Sequence, residues 1–320
     1  MDFHNKKILV IGDIMLDTYV SGSVSRISPE APIPILNKTY SYSRLGGAAN
    51  VACNLKSLGA MVWIIGRIGA DSAGDTILKS LSDKNIYFDF LMRDENLPTT
   101  VKTRYISGNQ QLLRVDSEVL TSVEDTPFAD DLISDIDRHL RNFDAIIISD
   151  YNKGVVFPRL LTEIGNLKSE YSKIVTVDTK KTDISLFKNF TTLKANKSEL
   201  CNLSKRNLRT LYDIKTASSE ITFDNNIEHL LTTLSEEGLF IFDSSRIEDE
   251  SCLYIPANTT EIVDVSGAGD TVIAVYTLIL SLGHSPFIAA QFANKAAGIV
   301  VTKKGTATIT LEELLKWTQI

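Results

Sequence analysis

Cysteine is scarce: three residues in 320, Cys53, Cys201 and Cys252, far apart and without a Cys-x-x-Cys pair. That excludes a disulfide framework and a zinc ribbon, and leaves reduced thiols. The four histidines are scattered, none with a partner at metal-ligand spacing. No stretch reaches the roughly 18 consecutive apolar residues that would span a bilayer, and the first ten residues show no long apolar region with a cleavage site. The expected location is cytoplasmic, with no membrane partner. A basic excess is also missing. The formal net charge is −7, which argues against nucleic acid as a partner but allows a local basic pocket for a small ligand. Several catalytic signatures are absent. Without a Gly-Lys dipeptide there is no P-loop. No GxGxxG follows the first apolar run, which disfavours a dinucleotide fold. HExxH and GxSxG do not occur.

What is present fits a globular chain: 43% hydrophobic and 23% charged residues, close to ordinary soluble usage. No repeat, low-complexity tract or linker divides it, so residues 1–320 are expected to form a single domain. Short apolar runs close on Gly or Asp: KILVIGD (7–13), MVWIIG (61–66), AIIISD (145–150), IVTVD (174–178) and LFIFD (239–243). Such runs read as buried strands. Helical periods lie between them at 48–58, 73–81, 130–140 and 157–167, then at 267–282 and 286–301. The alternation predicts an α/β fold, a central, mostly parallel sheet with helices on both faces. Ligands of such sheets gather beyond the strand C-termini, where Asp13, Asp150 and Asp178 would stand; each alone could equally cap a helix. Two segments break the pattern, about 18–42 and 99–116. The second alternates, turns at Ser107-Gly108-Asn109 and alternates again, as a hairpin does. Together they predict a small β-sheet lid.

Three motifs carry chemistry. In DVSGAGDT (264–271), Gly267, Ala268 and Gly269 open an apolar helix, leaving bare N–H groups at its positive end to meet anionic oxygen. Asp270 in that turn could simply stabilise the helix start, but paired glycines cost helix stability and point to close ligand approach. An anion hole beside a carboxylate suits phosphoryl transfer. In Gly46-Gly47-Ala48-Ala49-Asn50 the backbone can approach a polar ligand and Asn50 can hydrogen-bond to it, although close packing would also favour small residues. In NKSE, Asn196 and Glu199 suit a hydrated Mg²⁺ or, equally, a capping box.

Taken together these motifs resemble the ribokinase-like, or PfkB, carbohydrate kinases over essentially the whole chain. DVSGAGDT is similar to that family's C-terminal motif, GGAANVACNLKSLGA (46–60) to its Gly-Gly motif and NKSE to its Asn-x-x-Glu motif. The resemblance implies ATP and Mg²⁺ as cofactors, with a monovalent cation as a further candidate. It makes Asp270 the base and Gly267, Ala268 and Gly269 the anion hole. Asn196 and Glu199 would place Mg²⁺ and phosphates through water. Asp13, Gly46, Gly47 and Asn50 would hold the sugar, and Ser235, Gly238 and Asn294 the nucleotide. Arg104, on the lid hairpin, is expected at the sugar's distal phosphate. GDIMLDTYVSGSVSRISPEAPIPIL (12–36), NQQLLRVD (109–116), SDYNKGVV (149–156) and GTATIT (305–310) resemble the branch acting on D-glycero-β-D-manno-heptose 7-phosphate. That branch phosphorylates the anomeric hydroxyl to a 1,7-bisphosphate on the route to ADP-heptose. It implies a small-molecule sugar phosphate as partner, a homodimer through the lid and a separate nucleotidyltransferase. Another small-sugar kinase of the family and a non-catalytic sugar-binding regulator are the alternatives. Three positions depart from the family. Ser235 replaces the middle Gly of Thr-x-Gly-x-x-Gly, Thr179 stands where Pro is usual, and Ser266 stands where Thr is common.

Overall fold

The computed structural model describes residues 1–320 except 109, 248, 249, 259, 260 and 317–320; the expected turn residue Asn109 therefore lies outside the described residues. The first strand, β1 (Lys7–Gly12), shows why the central sheet forms. Ile8 and Val10 enter one apolar cluster and Leu9 and Ile11 the other. A strand buried on both faces needs helices on both sides. The chain then builds β2 (Ile14–Ile27), β3 (Pro34–Gly47), α1 (Ala48–Ser57), β4 (Met61–Ile65), β5 (Arg67–Gly69), α2 (Ser72–Asp83) and β6 (Met92–Asp94). Next come β7 (Thr100–Ser107), β8 (Gln110–Ser117), α3 (Pro127–His139), β9 (Ala145–Asp150), α4 (Pro158–Tyr171), β10 (Ile174–Thr179) and β11 (Thr192–Asn196). The last part contains α5 (Lys197–Ser204), α6 (Leu211–Asn225), β12 (His229–Thr233), β13 (Gly238–Asp243), β14 (Cys252–Pro256), α7 (Ala268–Ser281), α8 (Pro286–Val300) and α9 (Leu311–Leu315).

Among the described residues the large sheet runs β14-β13-β12-β11-β10-β9-β1-β4. From β4 to β12 its pairs are parallel, as expected. LFIFD (239–243) departs from that reading: β13 pairs antiparallel with β12, and β14 antiparallel with β13. An apolar run reports burial but carries no direction. α7 is apolar around nearly its whole circumference and buried from Asp270 to Leu280. Such a helix belongs inside the protein, and it packs on α1 and α8. Among the described residues no helix is long and apolar enough to cross a membrane.

A second sheet, ordered β3-β2-β7-β8, is the lid. It spans 14–47 and 100–117, so the expected 99–116 shifts by one residue and the expected 18–42 extends at both ends, where Ile14, Met15, Leu16 and Leu45 are strand residues whose side chains are buried. β2 follows β1 after one residue, Asp13. The lid is thus a direct continuation of the central sheet.

Candidate active site

The first turn of α7 is shaped by close approach. Gly267 caps the helix at φ +80°, and a Cβ there would come within 2.6 Å of Asn50 Nδ2. At Gly269 a Cβ would lie 3.2 Å from Lys194 Nζ. The Ala268 N–H is engaged with the Val265 carbonyl at 3.2 Å. Of the expected anion hole, Gly267 and Gly269 keep N–H groups with no acceptor among the described residues, and the Asp270 N–H joins them.

Asp270 is buried. Its Oδ2 accepts from Asn50 Nδ2 at 2.8 Å and its Oδ1 from the Tyr151 hydroxyl at 2.6 Å. Burial pushes its carboxyl up to about 6, against the pull of those two hydrogen bonds. The nearby Asp178 charge raises it further and Lys194 lowers it. Lys194 is itself buried in β11 and held by Asp178 at 2.6 Å. The other Asp178 oxygen, Oδ1, is a buried acceptor without a hydrogen-bond partner among the described residues. Asn54, one turn after Asn50 on α1, accepts from Thr271 Oγ1 at 3.1 Å and locks α1 to α7.

The remaining sugar-side residues divide. Asp13 is engaged by backbone: its carboxylate accepts from the amides of Tyr151, Lys153 and Val155 at 2.8, 3.0 and 3.2 Å. Burial, with the Asp150 charge adding, holds it at about 6. It sits beneath the loop that carries Tyr151. Asp150 is likewise internal, accepting from Thr179 Oγ1 at 2.7 Å and the Asn152 amide at 2.9 Å. Gly46 leaves room for Asp17, whose carboxylate lies where a Cβ would stand, and Gly47 takes φ +59°. Asp17 escaped the sequence reading, as did Tyr151. The only signals were the second acid of GDIMLD and the tyrosine of SDYNKG. Arg104 does not stand free: it donates to Asp17 Oδ1 at 2.5 Å and lies over the Tyr19 ring.

Asn196 and Glu199 form a capping box, each accepting the other's backbone N–H at 2.8 Å. Glu199 Oε1 also meets Lys180. With these oxygens engaged, the pair fits a magnesium ion only through water. No cluster of three metal-ligating side chains occurs among the described residues. A cavity of about 300 Å³ opens beside Ala268 and Gly269 and is lined by Ser235, Gly238, Asn294 and Val301. Ser235 adopts φ +54°, keeping the left-handed conformation that a glycine takes without strain. Asn294 tethers the end of β14, donating to the Pro256 carbonyl at 2.8 Å.

A buried acid at a helix start, next to residues that line a cavity of this size, suits phosphoryl transfer. Residues 5–314 match the pfkB family carbohydrate kinase profile, and the chain belongs to that family. It is therefore a phosphotransferase with an alcohol group as acceptor. Among curated proteins it is 38% identical over 317 residues to the bifunctional protein HldE of Helicobacter hepaticus, covering 99% of this chain and 64% of that one. The bifunctional protein HldE of Aliarcobacter butzleri is 39% identical over 313 residues, covering 97% and 64%. The chain thus spans just under two thirds of the length of these relatives. Arabidopsis thaliana ribokinase, complexed with ribose and ATP, matches with a TM-score of 0.80 at 19% identity, covering 98% and 99% of the two chains. Escherichia coli phosphofructokinase-2, with substrates and products, matches at 0.79 and 20%, covering 97% of each.

Proposed function

We propose that the chain is a cytoplasmic, ATP-dependent kinase that phosphorylates the anomeric hydroxyl of D-glycero-β-D-manno-heptose 7-phosphate, giving the 1,7-bisphosphate used in ADP-heptose synthesis. The observation that carries the reading is the buried Asp270 at the start of α7, with the lid residues Tyr19 and Arg44 packed on the Gly305 turn whose neighbour Thr306 abuts Gly267. Asp270 takes the proton of the attacking hydroxyl. Asn50 and Tyr151 hold its two oxygens in place. The N–H groups of Gly267, Gly269 and Asp270 meet the charge on the transferring phosphoryl group. The sugar lies between Asp270, Asn50 and Asp17, and ATP enters the cavity by Ser235, Gly238 and Asn294. Magnesium, when bound with the nucleotide, would neutralise phosphate charge, held through water by Glu199 and Asn196. The route to ADP-heptose also needs nucleotidyl transfer, and a nucleotidyltransferase is the partner this reading implies. A second copy of the chain completes the lid.

The test is a panel of sugars and sugar phosphates with ATP, scored by ADP release and by the position of the new phosphate. Heptose 7-phosphate should give the highest kcat/KM. A neutral sugar as the best substrate would move the chain to another branch of the family. Absence of turnover with every sugar would favour a regulator.

A further inference from the structure

The lid face above the acceptor site carries more cations than carboxylates. Across the strands, Arg44 stands opposite Asp17, Asp17 opposite Lys102, and Lys102 opposite Asp116. In the adjacent row Tyr42, Tyr19, Arg104 and Arg114 are partners. Cross-strand partners share a face. On this face Asp17 packs on Gly46, and Tyr19 packs on Gly305. Both carboxylates are taken: Asp17 by Arg104 at 2.5 Å, Asp116 by Lys102 at 3.2 Å and Arg114 at 2.9 Å.

Arg44 is left over. It is half-buried, makes no ion pair among the described residues, and lies over the Tyr42 ring at 5.6 Å. A cation withdrawn from water without a counter-charge is costly unless something else meets it. Two buried hydroxyls nearby share its condition. Neither Tyr19 Oη nor Thr306 Oγ1 makes a well-formed hydrogen bond among the described residues, the Thr306 backbone amide only facing the Tyr19 oxygen, and their residues are 2% and 8% exposed. The Gly305 turn brings these groups together. A Cβ there would lie 3.3 Å from Tyr19 Oη and 3.4 Å from an Arg44 guanidinium nitrogen. Thr306 in turn abuts Gly267, at the start of the helix bearing Asp270. The nucleotide cavity is lined by none of these residues.

We infer that Arg44, with the Tyr19 and Thr306 hydroxyls, binds the distal phosphate of the sugar substrate. A guanidinium matches a phosphate bidentately, and the two hydroxyls supply the further donors. The inference rests on the sugar-phosphate reading above and moves the phosphate contact from Arg104 to Arg44. Arg104 instead holds Asp17 toward the sugar's hydroxyls.

The test compares heptose 7-phosphate with the unphosphorylated heptose at saturating ATP. The readout is the ratio of the two kcat/KM values. Arg44→Gln should lower that ratio by roughly ten-fold or more, the loss of one charge-assisted contact. Arg44→Lys should recover part of it. Tyr19→Phe, a smaller change, should lower it less and serves if Arg44→Gln melts early. Arg104→Gln should depress both substrates and keep the ratio. A wild-type enzyme that prefers the phosphorylated sugar, with an Arg44→Gln ratio unchanged, removes the subsite and leaves the sugar-phosphate reading standing. A wild-type enzyme indifferent to the phosphate overturns both.

Discussion

At the residue scale the proposed chemistry turns on a carboxyl that burial holds at about 6 while two hydrogen bonds favour its charged form. Asp270 must be ionised to accept a proton, so kcat should rise with pH through about 6. Asp270→Asn keeps size and hydrogen bonding but cannot take the proton. It should lower kcat by about 10²-fold or more, the scale of general-base catalysis, while calorimetry still detects nucleotide and sugar binding. A variant keeping a third of wild-type kcat would transfer the role elsewhere. Tyr151 donates to the ionised form, so its removal raises the pKa of Asp270. Tyr151→Phe should therefore move the acid limb of the kcat profile to higher pH, with a smaller loss at the plateau. An unmoved limb would show that Tyr151 does not act on the base. The place of Asp270 at a helix start was legible in the sequence, and the reading of a site there came from two glycines that are costly without a ligand. Tyr151 was not, because it meets Asp270 from 119 positions away, and no local spacing encodes such a contact. The partners of Asp13 were not legible for a related reason: a strand-terminal acid signals a need for hydrogen bonds, and here backbone amides more than 130 positions away meet it.

At the scale of elements, the start of α7 is the most constrained piece of backbone. Gly267→Ala would put a side chain into the left-handed region, at about 1–2 kcal/mol, and against the Asn50 amide. It should lower kcat more than that stability loss alone would suggest, because Asn50 holds Asp270. The check is kcat beside the melting temperature, and a variant with wild-type kcat would show that the turn tolerates the shift. The parallel strands and the helices on both faces were readable from apolar runs and their period. The antiparallel end was not, since β13 has the same pattern as a parallel strand. β11 is the apolar strand read just before NKSE; Lys194 interrupts its run, and the ion pair to Asp178 allows that lysine to be buried. NKSE was open to two readings, and α5 uses it as a capping box.

At the scale of the molecule, the lid presents a face to its own domain and another to solvent. On the outer face Leu113 and Val115 are 56% and 46% exposed, beside their partners Tyr105 and Thr103. A small sheet with one apolar side open is marginal alone. A second copy would cover it. Light scattering at micromolar concentration should give a dimer, and Leu113→Asp with Val115→Asp should give a monomer of reduced activity. A fully active wild-type monomer would sink the pairing. The lid also has a mechanical relation to the catalytic loop. Asp13 is the single residue between β1 and β2, and its carboxylate grips three amides of the segment bearing Tyr151. It ties the root of the lid to the segment whose tyrosine meets Asp270. Any swing of β2 would pull on that segment, so movement of the lid and the setting of the proposed base would be geared together.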